Sequence, residues 1–350
     1  MRLRFGFLLA STLMTSILMT MALVATASPN QLPGQAQVQD GVLGRDDVQR
    51  YIDSLTRDHD FDRPALETLF GQMEIQDEIL QKISKPAEKV WTWGRYKKHL
   101  VDARRVSEGV EFWRTHKAAL ERAEETYGVA PEVVLAILGI ETRYGRITGK
   151  YPVAQALTTL GFGYPPRAKF FRKELTEFLL LAREEDKDPA ELLGSYAGAM
   201  GYGQFISSSY RHYAVDFDED GLRDIWHNPV DAIGSIANYF ARHKWQGTKP
   251  VAMQVACKAC DNASFDTGIK LNSTVGELRK MGVTLTTVQS AQVEDGLSAK
   301  LFAVVAEDAQ LEYWLVLHDF YVITRYNHSH LYALAVHHIA QAIKSEIESL

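Results

Sequence analysis

Hydrophobic residues recur at helical spacing over most of the first 245 positions. Val48, Ile52 and Leu55 follow one another at intervals of three and four, and the same period continues through "VEFWRTHKAALERAEETY" at 110–127. Residues 131–243 again contain long segments of this kind. Apolar positions spaced in this way line one face of a helix, so the pattern predicts a mainly helical protein.

The pattern changes after Trp245. Short β-branched and aromatic runs, separated by Gly, Asp and Asn, are typical of strands. They occupy 249–257, 282–290, 299–307 and 312–324. Residues 330–347 return to a helical period. We therefore expect a mainly α (α+β) protein in which a small β domain is inserted before the last helix.

The same changes of pattern suggest domain boundaries. We predict an N-terminal helical domain at 44–127, a helical core at 128–247, a small β domain at 248–322 and a C-terminal helix at 323–350 that completes the core. Residues 28–43 are rich in Pro, Gln and Gly and read as a flexible lead-in.

Residues 1–27 have the composition of a secretory signal. Arg2 and Arg4 precede an acid-free apolar run, and Ala25 and Ala27 fit the small positions of a cleavage site. The run is also long enough for an uncleaved membrane anchor. No Cys lies near its end, so the sequence predicts a soluble, periplasmic protein rather than a lipid-anchored one.

Charge and cysteine content narrow the possible functions. The formal net charge is −6, and it becomes −8 without Arg2 and Arg4, a balance that argues against a nucleic-acid partner. Cys257 and Cys260 are the two cysteines of the chain. An oxidising compartment favours a structural disulfide. A redox motif or a zinc site would need further context or ligands that the sequence does not display.

A single carboxylate, Glu141, interrupts an apolar helix predicted at 131–144 in the segment "AILGIETRYGR". At 100° per residue it shares a face with Ile137, Leu138 and Tyr144. We expect burial on this face to raise the pKa of Glu141 and keep it protonated, as a general acid requires. The alternative is an ion pair with Arg143 or Arg146 at the helix end.

A second unusual stretch, "GSYAGAMGYGQF" at 194–205, is half Gly and Ala. Small residues allow a close approach of the backbone to a flat ligand, while Tyr196, Tyr202 and Gln204 offer stacking surfaces and amide hydrogen bonds. This combination suits a sugar. A tightly packed helix junction would have the same composition.

The stretch "DFDEDGLRDIWHNPVD" at 216–231 resembles a calcium-binding loop. The acidic residues and the carbonyl expected to bind the ion are Asp216, Asp218, Asp220 and Leu222. His227 stands where such a loop has a bidentate Glu, so we expect Asp231 to complete the ligand set. A solvated turn is the alternative. Hard oxygen ligands without a His cluster indicate structural Ca²⁺, with no cofactor needed for catalysis.

A fourth stretch, "TRYNHSHLY" at 324–332, joins the predicted sheet to the last helix. Its Tyr326, Asn327 and Tyr332 could line a carbohydrate groove, although an ordinary polar loop would look the same.

Taken together, "GIETRYGRITGKYPVAQALTTLGF", "SYAGAMGYGQF", "AVDFDEDG" with "VDAIGSIANYF", and "VITRYNHS" resemble the membrane-bound lytic murein transglycosylase B family over about 46–339. The resemblance implies a lysozyme-like helical core with an added helical domain and a small β domain. It also implies non-hydrolytic cleavage of peptidoglycan glycan strands between N-acetylmuramic acid and N-acetylglucosamine, which leaves a 1,6-anhydromuramic end.

In that family a single catalytic acid matches Glu141. Matching positions imply substrate contacts from eight residues, namely Tyr96, Arg167, Ser195, Gln204, Tyr239, Tyr326, Asn327 and Tyr332. Three departures stand out. The segment "PPRAKFF" keeps one arginine, Arg167, where relatives often have two; the chain is one residue longer at His227 and Asn228; and the Cys of lipid-anchored members is missing.

Other functions fit parts of the pattern. A hydrolytic muramidase of the same fold would carry the same acid, and a noncatalytic, calcium-stabilised wall-binding protein would carry the same loop. We expect a monomer that binds glycan strands and has wall-synthesis enzymes as possible partners.

Overall fold

The computed structural model describes residues 41–84, 91–258, 260 and 268–350. The predicted signal at 1–27 and positions 28–40 of the predicted lead-in lie outside the described residues. Gly41–Leu350 form one compact unit. The domain boundaries predicted within it stay predictions.

The described chain before the larger sheet is mainly helical, as predicted. After a 3₁₀ turn at Val42–Gly44, the helices are α1 Asp46–His59, α2 Arg63–Gly71, α3 Asp77–Ser84, α4 Trp93–Leu100, α5 Ala103–Tyr127, α6 Pro131–Thr142, α7 Val153–Gly163, α8 Ala168–Glu184, α9 Ser207–Tyr213 and α10 Pro229–Arg242. Local sequence fixes several ends. Asp62 accepts a hydrogen bond from the Ala65 N–H at the start of α2, and Gly128 ends α5 in a left-handed conformation.

Two antiparallel sheets are present in the described ranges. The small one pairs β1 Tyr151–Pro152 with β2 Leu193–Gly194. The larger one contains β3 Ala252–Cys257, β4 Ser273–Thr274, β5 Val283–Thr284, β6 Ser298–Val305 and β7 Leu311–Val316 in the order β4-β6-β7-β3-β5. The central pairs place Leu301 of β6 and Met253 of β3 on either side of Leu315 of β7. These residues belong to a second, smaller hydrophobic core. A short helix, α11 Val275–Lys280, lies between β4 and β5 in the chain.

Two of the predicted strands are wrong in part. In 282–290 the strand stops at Thr284, and α12 Thr287–Gln292 follows because Thr286 and Gln289 form a capping box. In 312–324 the strand ends at Val316, and α13 His318–Tyr326 follows. Phe320, Ile323 and Thr324 are buried at helical spacing, so this run combines a strand period with a helix period.

The sheet is therefore followed by two helices rather than one. The last helix, α14 His330–Glu348, packs against α6, α5 and α13 with Leu334, Ala335 and Ile339 fully buried. The end of the chain thus returns to α6, the helix that carries Glu141. None of the described helices is long and apolar enough to cross a membrane.

Candidate active site

The helix α6 presents Glu141 at its last turn. Ile137 and Leu138, on the same face, are fully buried, and Glu141 itself is partly exposed. The predicted helix end at Tyr144 is wrong, because α6 ends at Thr142 and Arg143 adopts a left-handed conformation. Tyr144 therefore does not extend the apolar face of the helix.

Three consecutive left-handed residues follow the helix. Arg143, Tyr144 and Gly145 have φ values of 50°, 59° and 85°. Only glycine adopts this conformation without strain, so Arg143 and Tyr144 each cost about 1–3 kcal/mol. Residues held in such conformations cluster at functional sites, where surrounding contacts enforce them.

Arg143 and Arg146 each bind an acid near the start of α5, either Asp102, which caps the helix, or Glu108. The guanidinium of Arg143 lies 3.3 Å from Asp102, and Arg146 forms an ion pair with Glu108. The alternative of an ion pair between Glu141 and one of these arginines stays a prediction.

The hydroxyl of Tyr332, on α14, donates a hydrogen bond to Oε1 of Glu141 over 2.5 Å. Tyr332 is only 2 % exposed. Burial, the negative charge of Glu141 and the neighbouring Tyr326 all raise the pKa of Tyr332, so its hydroxyl stays protonated and remains a donor. One oxygen of the carboxylate is thereby held in a fixed direction.

Tyr326 is a second phenol close to Glu141. Its hydroxyl donates to the carbonyl oxygen of Gly203, and its ring meets the ring of Tyr239 edge-on with centroids 4.8 Å apart. Burial and the charge of Glu141 raise the pKa of Tyr326. Tyr239 in turn donates its hydroxyl to the carbonyl of Arg325 over 2.6 Å. These phenols tie α10 and α13 to the glycine-rich stretch.

The glycine-rich stretch lies against the end of α6. Thr142, the residue after Glu141, donates its hydroxyl to the Tyr202 carbonyl over 2.9 Å. A Cβ on Gly145 would stand 2.0 Å from the Tyr202 ring, so only glycine fits there. The amide of Gln204 donates to the Thr148 carbonyl over 3.0 Å. The glycine-rich stretch at 194–205 and the end of α6 are therefore in contact. Together with Tyr239, Tyr326 and Tyr332 they form the wall around Glu141.

The structure brings Glu141, Tyr239, Tyr326, Tyr332 and Gln204 into this connected group. These five residues come from four segments that are far apart in sequence, and only the fold joins them. Their predicted contacts with a substrate stay predictions.

The other predicted substrate residues have different surroundings. Tyr96 is 2 % exposed and lies close enough to raise the pKa of Tyr332. The hydroxyl of Ser195 accepts the N–H of Ala199 over 3.0 Å. Asn327 follows the end of α13. Arg167 stacks over the ring of Phe170 at 4.2 Å and belongs to a separate group of contacts.

The acidic loop gathers carboxylates as predicted. Ligand oxygens of Asp216, Asp218 and Asp231 lie within 4.8 Å of one another. Asp231 is fully buried and accepts the N–H groups of Phe217 and Asp224. Burial, and to a lesser degree Asp218, raises the pKa of Asp231, which is the signature of a buried acid beside like charge.

Asp220, a predicted ligand, and His227, which takes the place of the usual Glu, both lie outside the cluster of three. The carboxylate of Asp220 accepts the N–H of Leu222 over 2.9 Å rather than joining the cluster of three. His227 points to Asp224, with its Nδ1 3.2 Å from Oδ2. The extra residue Asn228 caps α10 through its side-chain oxygen and donates its amide to Asp218, so it braces the loop.

Sequence reasoning missed the group that supports the end of α6. Arg105 on α5 donates through Nε to the Gly139 carbonyl over 2.9 Å, and Thr142 tethers the glycine-rich stretch. A signal was available, since Gly109 on α5 and Gly139 on α6 sit inside predicted helices, where glycine usually has a packing reason.

Cys257 and Cys260 are joined by a disulfide, with their Cα atoms 5.6 Å apart. The bridge lies at the end of β3, in the sheet rather than in the wall around Glu141.

Comparison with known proteins places these features in context. The model of a family described as "Transglycosylase SLT domain" matches residues 44–341. The chain is 40 % identical over 305 residues to the membrane-bound lytic murein transglycosylase B of Escherichia coli (strain K12), which covers 85 % of this chain and 82 % of that protein.

Two solved structures are similar over almost their whole length. Soluble lytic transglycosylase SltB1 from Pseudomonas aeruginosa matches with a TM-score of 0.81 and 44 % identity, over 86 % of this chain and 99 % of that one. The lytic transglycosylase Slt35 of Escherichia coli in complex with calcium matches with a TM-score of 0.79 and 39 % identity, over 90 % and 99 %.

Proposed function

This chain belongs to the transglycosylase SLT domain family and is a lytic murein transglycosylase with the lysozyme-like fold predicted from its sequence, and from that premise we propose a mechanism. Glu141 cleaves the β-1,4 bond between N-acetylmuramic acid and N-acetylglucosamine without water. The product carries a 1,6-anhydromuramic end.

The observation that carries this proposal is the hydrogen bond from Tyr332 to Glu141. A catalytic acid must be aimed at the atom it protonates, and a bond of 2.5 Å from a buried phenol fixes its carboxyl group. Such a donor also stabilises the carboxylate that remains once the proton has left. Tyr332 is thus a positioning residue for Glu141.

In the first step, the Glu141 carboxyl proton passes to the glycosidic oxygen. The bond from C1 of the muramic residue to that oxygen breaks, and its electron pair stays with the leaving N-acetylglucosamine as a hydroxyl. The carbonyl oxygen of the substrate's own acetamido group attacks C1. Substrate assistance of this kind replaces the second carboxylate of ordinary glycosidases.

In the second step, the Glu141 carboxylate removes the proton of the muramic 6-hydroxyl. That oxygen attacks C1 and displaces the acetamido oxygen, which closes the anhydro ring. Glu141 ends protonated, as it began, so one residue serves as acid and then as base.

We further propose that the wall around Glu141 binds the glycan strand. Tyr326 supplies an aromatic edge, Gln204 supplies an amide group, and Ser195 and Asn327 extend the binding surface. Because Tyr96 and Tyr239 are buried, they act by holding neighbouring groups rather than by broad stacking. Arg167, stacked on Phe170, presents a cation to an acidic group of the substrate.

We propose that the loop holds a structural Ca²⁺ ion. The converging carboxylates of Asp216, Asp218 and Asp231 fit a hard cation, because oxygen ligands are what Ca²⁺ prefers and because like charges this close repel without one. Asp220 and the carbonyl of Leu222 stay predicted ligands. When bound, the ion supplies only charge neutralisation that ties the loop to α10.

We also propose export of the enzyme to the periplasm through the predicted signal at 1–27. The mature protein would then meet its polymeric substrate as a soluble monomer, and wall-synthesis enzymes are its possible partners. Amino-terminal sequencing of the secreted protein tests the cleavage after residue 27.

The mechanism is tested with Glu141→Gln on purified peptidoglycan. Gln keeps the shape of the side chain and has no transferable proton, so the rate should fall on the order of 10² or more. Glu132→Gln is the matched control, because Glu132 lies on the same helix and pairs with Lys344 far from the last turn. It should clear a suspension like the wild type.

The product decides between transglycosylase and hydrolase chemistry. Mass spectrometry of the released muropeptides should show ends lighter by one water than hydrolytic ends. Reducing ends would identify a muramidase and overturn the ring-closing step. An active Glu141→Gln variant would remove Glu141 from the mechanism.

A further inference from the structure

Tyr144 occupies a slot between two helices. A Cβ on Gly109 of α5 would stand 2.5 Å from the Tyr144 hydroxyl oxygen, and a Cβ on Gly139 of α6 would stand 2.6 Å from it. Any other residue at either position would collide with the phenol. Both glycines therefore make room for one side chain.

The phenol is anchored at the bottom of this slot. Tyr144 is 8 % exposed, and its hydroxyl donates to the Arg105 carbonyl over 2.8 Å. The ring of Phe112 lies 5.5 Å away between centroids. A hydroxyl that is both buried and satisfied holds its side chain in one position.

The first turns of α5 hold the catalytic segment on both sides of Glu141. Arg105 binds the Gly139 carbonyl two residues before it, and Asp102 binds Arg143 two residues after it. Tyr144 follows at the third residue after it. The strained, left-handed turn is thus enforced by contacts to α5, with Tyr144 as the deepest of them.

We propose that Tyr144 is a positioning residue that fixes the last turn of α6 and so the direction of Glu141 toward Tyr332 and the scissile bond. The inference rests on the proposed role of Glu141. Positioning of this kind matters because a displacement of about 1 Å can lower a rate on the order of 10²-fold.

The test compares Tyr144→Phe with Tyr51→Phe. Tyr51 on α1 also donates a buried hydroxyl to a backbone carbonyl, that of Arg172 over 3.2 Å, but it contacts neither α6 nor the wall around Glu141 through that bond. Each change removes one hydroxyl and leaves a ring of the same shape. Kinetics are measured on soluble glycan strands, and rates are normalised to the folded fraction from circular dichroism.

Tyr144→Phe should lower kcat on the order of tenfold and leave KM within about twofold, whereas Tyr51→Phe should change neither. The alkaline limb of the kcat profile should also move to higher pH in Tyr144→Phe, because a displaced Glu141 loses part of its bond from Tyr332. Loss of folded protein alone lowers the amplitude of a pH profile and does not move its limbs.

Gly139→Ala provides a second measurement. The new methyl group should displace the phenol and lower kcat by more than Tyr144→Phe does. Adding Tyr144→Phe to Gly139→Ala should restore part of the lost kcat, because the oxygen that collides with the methyl group is gone. Equal behaviour of Tyr144→Phe and Tyr51→Phe, or simple multiplication of the Gly139 and Tyr144 effects, would overturn the inference. If Glu141→Gln is active, the proposed mechanism fails first and the inference with it.

Discussion

Removal of calcium should destabilise the protein without stopping its chemistry. The perturbation is chelation, compared with Asp218→Asn, which removes one charge from the cluster at constant shape. In the structure, the oxygens of Asp216, Asp218 and Asp231 lie within 4.8 Å of one another. Each pair of charges at that distance repels by about 0.9 kcal/mol in water and about 3.5 kcal/mol at an effective dielectric constant of about 20.

The size of the effect follows from binding to the folded state alone. At roughly a hundred times its Kd, the ion adds about 2.7 kcal/mol to the free energy of unfolding. Unfolding of about 300 residues carries an entropy of about 0.6 kcal/mol per kelvin. The melting temperature should therefore rise by about 4 °C in millimolar Ca²⁺ and less in Mg²⁺, whose small octahedral shell suits a flexible loop poorly.

Differential scanning calorimetry in calcium and in chelator measures this shift. Glu219→Gln is the matched control, since Glu219 is an exposed acid of the same loop outside the cluster. It should keep the calcium shift, while Asp218→Asn should lose most of it. Asp220→Asn then decides whether Asp220 turns from the Leu222 N–H to the ion. An equal melting temperature with and without calcium in the wild type would refute the site.

Three further outcomes are expected. Tyr332→Phe should lower kcat on the order of tenfold or more, because the bond that orients the Glu141 carboxyl group and stabilises its carboxylate is lost. An unchanged kcat would show that Tyr332 does not position Glu141. Replacing Cys257 and Cys260 by Ser should cost about 2 kcal/mol of stability and leave the cleavage products unchanged by mass spectrometry, a result that altered products would contradict. Burial lowers the pKa of His338 to about 3, whereas the unfolded residue gains its proton near pH 6.5. The free energy of unfolding should therefore decrease between pH 6.5 and 4, and His338→Phe should make this decrease smaller when unfolding is measured by denaturant.

The sequence was sufficient wherever one short segment contained the whole signal. The helical period before Trp245, the cap at Asp62 and the spacing of Asp216 and Asp218 each depend on neighbours in the chain. Asp231 was predicted as a cluster member from the place of His227, and its carboxylate does join the other two. Predictions from such short segments hold in the folded protein, because few distant contacts change the conformation of these segments.

Prediction failed where distant contacts decide the backbone. The last turn of α6 ends early because Tyr144 is drawn into a slot formed with α5, and no local rule places two left-handed residues before Gly145. Likewise, β-branched residues in 312–324 suggested a strand, but burial of Phe320 and Ile323 against other helices makes α13 a helix. Tertiary packing overrides intrinsic propensity in both cases.

The bond between Tyr332 and Glu141 joins residues 191 positions apart. Between them the chain must form the acidic loop, the larger sheet and α13 before α14 can lie against α6. Contacts of such long range form late, because the entropy of closing a large loop must be met first. During synthesis Glu141 is added well before Tyr332, so a chain cut between them would contain the acid without the phenol that binds it. On the proposed mechanism, we therefore expect cleavage of the glycan strand to require the chain through α14.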